Sequence, residues 1–314
     1  MKADDRHGFQ SVVPPTTRPH NGWTVLSASY IIKDAFRLHT LLAIGAGLQA
    51  VLAAAVPKPW CFLPTAALLA LSPIVTAVQM LCPLLSIRGR RLTHSFLHGV
   101  IPGRSTVHLS TRKQHTNQDA SDSASRDGIV VFHFGARFNH PLGVLAPGAR
   151  TMTKLFRATL AALSEDRAAY GLMGGDLFRG GASTRVSHDT ILLVLYFRNL
   201  EGLQRFAGST AHREAYSWLR QVTMLGDNNE QRYPHLSAFH ETFVVAAGGY
   251  ESLYINTAPI LLGNTFTESL DSDDGDVGEE SSPDRSEAPL WHSSLVNADN
   301  SRLRTMTTRL EQSR

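Results

Sequence analysis

Cysteine is nearly absent. Cys61 and Cys82 are the only two in 314 residues, which excludes a disulfide framework and a four-cysteine zinc site. Several catalytic signatures are missing as well. No GxSxG elbow, Walker A loop, HExxH or paired CxxC occurs, and Met173-Gly174-Gly175 is too short a glycine run to cradle a phosphate. Charged residues are sparse, at 18%, against 43% hydrophobic, a balance that excludes a wholly disordered chain, a collagen or a coiled coil. Acidic residues are unevenly placed. Nine lie in residues 264–289 against the single Arg285, so the overall +3 divides into −8 there, +2 over 290–314 and +9 over 1–263. The chain is a basic body with an acidic tail.

A mean hydropathy of −0.11 conceals where the apolar residues sit. Twenty residues without a charge separate Arg37 from Lys58, and twenty-nine separate Lys58 from Arg88. A 20-residue helix rises about 30 Å, the thickness of the hydrocarbon core of a bilayer. Residues 38–57 and 62–85 therefore read as a transmembrane helical hairpin, with Pro73 as a tolerated kink. A signal peptide does not fit, because a polar arm (residues 1–37) precedes the first run. A buried hairpin of a soluble domain is the competing reading. Lys33 and Arg37 before the hairpin and Arg88, Arg90 and Arg91 after it place both ends on the cytosolic side. Membrane lipid explains this basic cluster before nucleic acid does, and no nucleic-acid partner is expected. Gly45-Ala46-Gly47-Leu48-Gln49-Ala50 spells a dinucleotide-binding GxGxxA but follows no strand, so it reads as small residues packing one helix on its neighbour.

Residues 88–127 read as a basic amphipathic segment followed by a Ser-, Thr- and Asp-rich linker. A compact pattern spans 128–263. Residues 129–135 form a strand, 151–167 a helix, 170–175 a short edge strand and 190–199 an apolar central strand. Residues 200–221 follow as a helix broken near Gly208-Ser209, with strands at 237–247 and 250–256. The order β-α-β-β-α-β, plus a short final strand, is that of a ferredoxin-like α+β domain, with helices on one sheet face. Strand 190–198 is apolar on both faces, so a second copy's sheet is the simplest cover for the other face, which predicts a homodimer. Residues 264–314 read as a mostly disordered acidic tail with a short terminal helix.

FHFGARFNHPLGVLAPG (132–148), TILLVLYFRNLEGLQRFA with AHREAYSWL (190–219) and HETFVVAAGGYESLYINTAPILLG (240–263) resemble one family. It is a fungal monooxygenase family of the dimeric α+β-barrel superfamily, whose members recur in secondary-metabolite pathways. The resemblance implies a ferredoxin-like dimeric α+β barrel and an oxidoreductase acting on a hydrophobic, aromatic or polyketide-type molecule. Relatives in the superfamily act without a cofactor, bind haem, or dehydrate aldoximes. The reading adopted is a membrane-tethered monooxygenase without a metal, its domain facing the cytosol at the endoplasmic reticulum. A haem-dependent enzyme of the same fold and a non-catalytic membrane scaffold are the alternatives.

The resemblance directs attention to His212-Arg213. A histidine near neutral pKa removes a proton from an activated carbon, and an adjacent guanidinium steadies the resulting anion. The competing reading has His212 capping its helix and Arg213 solvated. His240 and Glu241 are consecutive on a strand and so point to opposite faces. If His240 faces the helices, it becomes a second acid/base or haem-ligand candidate. Arg137, Asn139 and His140 stand either at a cavity mouth or in a turn before Pro141. Trp218 and Tyr254 would shape an apolar site, and Asn256, two residues on, would share the side of Tyr254.

Overall fold

The computed structural model describes residues 9–23, 36, 38–81, 99–109, 128–181, 189–224, 231–269 and 289–312. Cys82 and the amphipathic segment expected before residue 99 lie outside these residues.

Two helices, α1 (Leu38–Ala55) and α2 (Leu63–Leu81), are long and apolar enough to cross a membrane. Neither buries a side chain, so they are not core helices of the folded body. Near the turn, Thr65 donates to Gln49 Oε1 at 2.6 Å and Gln49 Nε2 donates to the Cys61 carbonyl at 3.1 Å. That polar link does the work expected of the small residues: Gly45 and Gly47 face open space rather than a neighbouring helix.

The folded body is α+β. Its elements run β1 (Ile101–Val107), β2 (Ile129–Phe138), α3 (Ala149–Glu165), β3 (Leu172–Arg179), β4 (Thr190–Phe197), α4 (Leu200–Ala207), α5 (Thr210–Thr223) and β5 (Leu236–Val245). Then come β6 (Tyr254–Thr257), β7 (Phe266–Ser269), β8 (Leu290–Ser293), β9 (Leu295–Asn297) and α6 (Met306–Gln312). The main sheet has the order β3-β4-β2-β5, with every pair antiparallel. With α3 and the α4–α5 pair as crossovers, this is the ferredoxin-like arrangement. The helix break falls at Gly208-Ser209, where Ser209 begins α5 as its N-cap.

Alternation divides β4 cleanly. Leu193, Leu195 and Phe197 pack with Val130, Leu160, Leu163, Leu203 and Phe206 under the helices. Val194 and Tyr196 pack the other way, against Val107, Leu262 and Leu295. That second layer comes from the chain itself. A three-stranded sheet, β6-β1-β9, lies over the β3–β4 half of the main sheet. The argument for a dimer thus changes. A second copy is not needed to cover β4, whereas among the described residues the β5 side of this face, with Phe239 and Phe243, stays exposed.

Three sequence expectations are corrected by the same layer. Residues 101–107 are a strand, not linker. The 250–256 strand does not join the main sheet: β6 pairs with β1, Ser105 opposite Tyr254. The tail is not simply disordered, because β9 pairs with β1 and buries Leu295, and Trp291 on β8 is also buried. The N-terminal arm zips along these strands, Val12 N–H donating to the Leu295 carbonyl at 3.0 Å and Thr16 N–H to that of Trp291 at 2.9 Å.

Candidate active site

The register of β5 decides which of its side chains face the helices. Phe134 opposes His240 and Ala136 opposes Ala238, so the even positions of β5 share the helix-side face with Phe132, Phe134 and Ala136. His240 therefore faces the helix layer, its ring 5.8 Å from that of Phe132. Phe132 in turn meets Phe197 edge-on at 6.4 Å.

From the helix side comes His212, in the first turn of α5. Its N–H donates to the capping Ser209 hydroxyl at 3.3 Å, and its ring meets Phe206 edge-on at 5.5 Å. Two imidazoles thus come from opposite layers, Phe132 beside the exposed His240 and Phe206 beside His212, with Phe197 packed between the two phenylalanines. Burial holds the His212 imidazole below its ordinary pKa. A hydrogen bond to the Ala207 carbonyl opposes this, and the charge on a protonated His240 adds to it. The helix N-terminus, with its positive dipole end, disfavours the imidazolium as well. At neutral pH His212 is an uncharged base.

The structure does not bring the other expected residues to this place. One residue on from His212, Arg213 is turned about 100° around the helix. It lines an outer groove of about 480 Å³ with Glu214, Ser217 and Trp218. Trp218 reaches from there toward Tyr233, 6.5 Å away, and packs on the core around Ala146, Ala149 and Met152. Glu241 lies on the opposite sheet face, 3.7 Å from His133. Arg137 sits on that face too, as an odd position of β2. Asn139 and His140 make the turn: Asn139 N–H donates to the His235 carbonyl at 2.7 Å, and His140 Nδ1 accepts from Leu142 N–H at 3.1 Å.

Tyr254 and Asn256 belong to the covering sheet. The Tyr254 hydroxyl accepts from Gly263 N–H at 2.8 Å, and Asn256, in the left-handed region at φ 49°, accepts from Gly103 N–H at 2.9 Å. Beside Tyr254 lies a polar cluster not foreseen in the sequence. Asp176 accepts from Leu261 N–H and, at 3.0 Å, from Asn264 Nδ2, and burial pushes the carboxyl up from its usual range. Burial, with the neighbouring Tyr254 and Asp176, pushes the Tyr196 phenol up as well. Each of these groups bonds to the backbone or side chains of residues 261–264 and fastens that segment to the sheet. Among the described residues no group of three or more His, Cys, Asp or Glu side chains could hold a metal ion.

The family model "Monooxygenase af470-like" matches residues 129–262, the ferredoxin-like core with both imidazoles. Monooxygenase af470 of Aspergillus fumigatus is 32% identical over 302 residues, covering 96% of this chain and 97% of its own. Among solved structures, an aldoxime dehydratase in complex with butyraldoxime is 17% identical over 51% of this chain, with a TM-score of 0.34; the match spans only 40% of that enzyme. SnoaB, a cofactor-independent oxygenase from Streptomyces nogalater, is 12% identical over 37% of this chain and 91% of its own, with a TM-score of 0.24. Identity sustained over nearly the whole length of both chains, hairpin and tail included, settles the kinship: the chain belongs to the Monooxygenase af470-like family.

Proposed function

We propose that this monooxygenase-family protein is a membrane-tethered enzyme oxidising a hydrophobic, aromatic or polyketide-type intermediate without a metal. The observation that carries the reading is the uncharged His212 facing His240 among phenylalanine rings. His212 takes a proton from an activated CH₂ group, and the carbanion adds to dioxygen. The peroxide takes that proton back from His212, and His212 then removes the second C–H proton as the O–O bond breaks. The carbon ends as a carbonyl, and the released hydroxide leaves as water with a proton from His240, which the protonated His212 replaces by way of solvent. The carbon supplies the electrons, so the step balances with dioxygen as the one co-reactant. Arg213, on the outer groove, has no part in it.

In this reading α1 and α2 hold the domain at the cytosolic face of the endoplasmic reticulum, where an apolar substrate concentrates. A second copy of the chain covers Phe239 and Phe243 on the open half of the sheet, giving a homodimer visible by light scattering. The decisive experiment is metabolite profiling of a deletion strain, followed by feeding the accumulated precursor to purified protein under ¹⁸O₂. One labelled oxygen in the product is expected. A Soret band in the purified protein would instead assign the haem-dependent alternative. No turnover of any pathway intermediate would leave the scaffold reading.

A further inference from the structure

We propose that the β2–α3 loop and the outer face of α3 form a docking surface for an anionic lipid bilayer, which seats the catalytic domain on the membrane carrying its tether. This inference rests on the membrane reading of α1 and α2.

Residues 139–164 contain no Asp or Glu. Within that stretch Arg150, Lys154 and Arg157 recur at i, i+4 and i+7, which aligns them on one exposed face of α3. None of the three is ion-paired among the described residues. At the head of this basic stripe the loop exposes Leu142 (51%) and Leu145 (66%). They are not loose. A 3₁₀ turn spans Gly143–Leu145, Leu142 N–H is held by His140, and His235 Nε2 lies 2.8 Å from the Pro147 carbonyl. The turn presents two leucines to solvent by construction.

Aligned cations next to rigid exposed leucines match an interface of anionic headgroups over acyl chains. An acidic protein surface would use the cations and give the leucines nothing to enter. The tether keeps the surface close to the bilayer, so a weak intrinsic affinity suffices. Loop and stripe also border the helix layer that carries His212, since Val144, Ala146 and Met152 pack in one cluster with Trp218.

The test uses the full chain, with Cys61→Ser and Cys82→Ser, carrying an environment-sensitive fluorophore at Leu145→Cys. It is reconstituted into vesicles of phosphatidylcholine alone or with 30 mol% phosphatidylserine, in steps verified by carbonate resistance. With the anionic lipid, a blue shift and quenching by lipid-borne nitroxide are expected, both weakening in high salt. A Lys or Arg near an anionic surface is worth about fivefold in affinity. Arg150→Gln, Lys154→Gln and Arg157→Gln together should therefore lower the docked-to-undocked ratio by about a hundredfold. Equal signals in both vesicle types, in protein that resists carbonate, would overturn the docking surface and leave the tether standing. Release by carbonate would instead overturn the tether. Soluble polyglutamate reproducing the shift as well as vesicles do would assign the surface to an acidic protein and also overturn the proposal.

Discussion

Replacing Arg167 with methionine should loosen three parts of the chain at once. The Arg167 guanidinium is buried at the junction of α3 and β3. Its Nε donates to the Leu172 carbonyl at 3.1 Å, one terminal nitrogen to Asn21 Oδ1 at 2.9 Å, and the other to the Met173 carbonyl. The rings of Trp291 and Phe266 lie 5.1 and 6.0 Å from it. It therefore ties the N-terminal arm and the tail strands β7 and β8 to the core. Burial pushes its pKa down to about 10, a cost of about 3 kcal/mol at roughly 1.4 kcal/mol per tenfold change in proton affinity. Against this stand three charge-assisted hydrogen bonds of about 1.5–3 kcal/mol each. The methionine variant recovers the desolvation cost and leaves two carbonyls and Asn21 without their donor. A net loss of about 3 kcal/mol is expected in urea unfolding, with faster proteolysis within residues 9–23. Lysine would not rescue it, because an ammonium lacks the planar fork that reaches all three acceptors. A methionine variant within 1 kcal/mol of the parent, with its arm equally protected, would refute the reasoning.

The acid limb of kcat/KM should fall below the ordinary imidazole value, because burial favours uncharged His212. His240→Gln removes the like charge and should move that limb up in pH. The same sign makes the fold less stable as pH falls from about 6.5, since the unfolded imidazole binds the proton more tightly. Gly175→Ala should cost about 2 kcal/mol or more in thermal unfolding: at φ 157° a Cβ would stand 2.2 Å from the Val194 carbonyl oxygen. The full-length protein should stay in the pellet after alkaline carbonate extraction, and its release would remove the hairpin from the account.

The ferredoxin-like core was legible because its elements are long and regular. Strand β4 carries apolar residues on both faces, and the α4–α5 break coincides with a glycine and an N-capping serine. The covering sheet was not legible. Ile101–Val107 reads IPGRSTV, with Pro, Gly and Arg where alternation should be, and its partners lie some 150 residues away at Tyr254 and Ile255. β8 and β9 are four and three residues long, too short to carry a period. At the site, strand alternation separates His240 from Glu241, but which of them faces the helices depends on register with β2. Helix arithmetic alone could have separated Trp218 from His212, since six residues turn about 600°, which leaves the two side chains about 120° apart around the helix. The Asp176–Tyr196–Tyr254 cluster joins three strands from two sheets, and no local spacing announces it.

The role of His212 as the base is tested most directly by turnover of the accumulated precursor by the full-length protein with His212→Ala, His240→Ala or both. Loss of a general base costs about 10²–10⁴ in rate. A fall in that range is expected for His212→Ala, in protein that keeps the parent's unfolding midpoint. Near-native turnover by all three variants would contradict it.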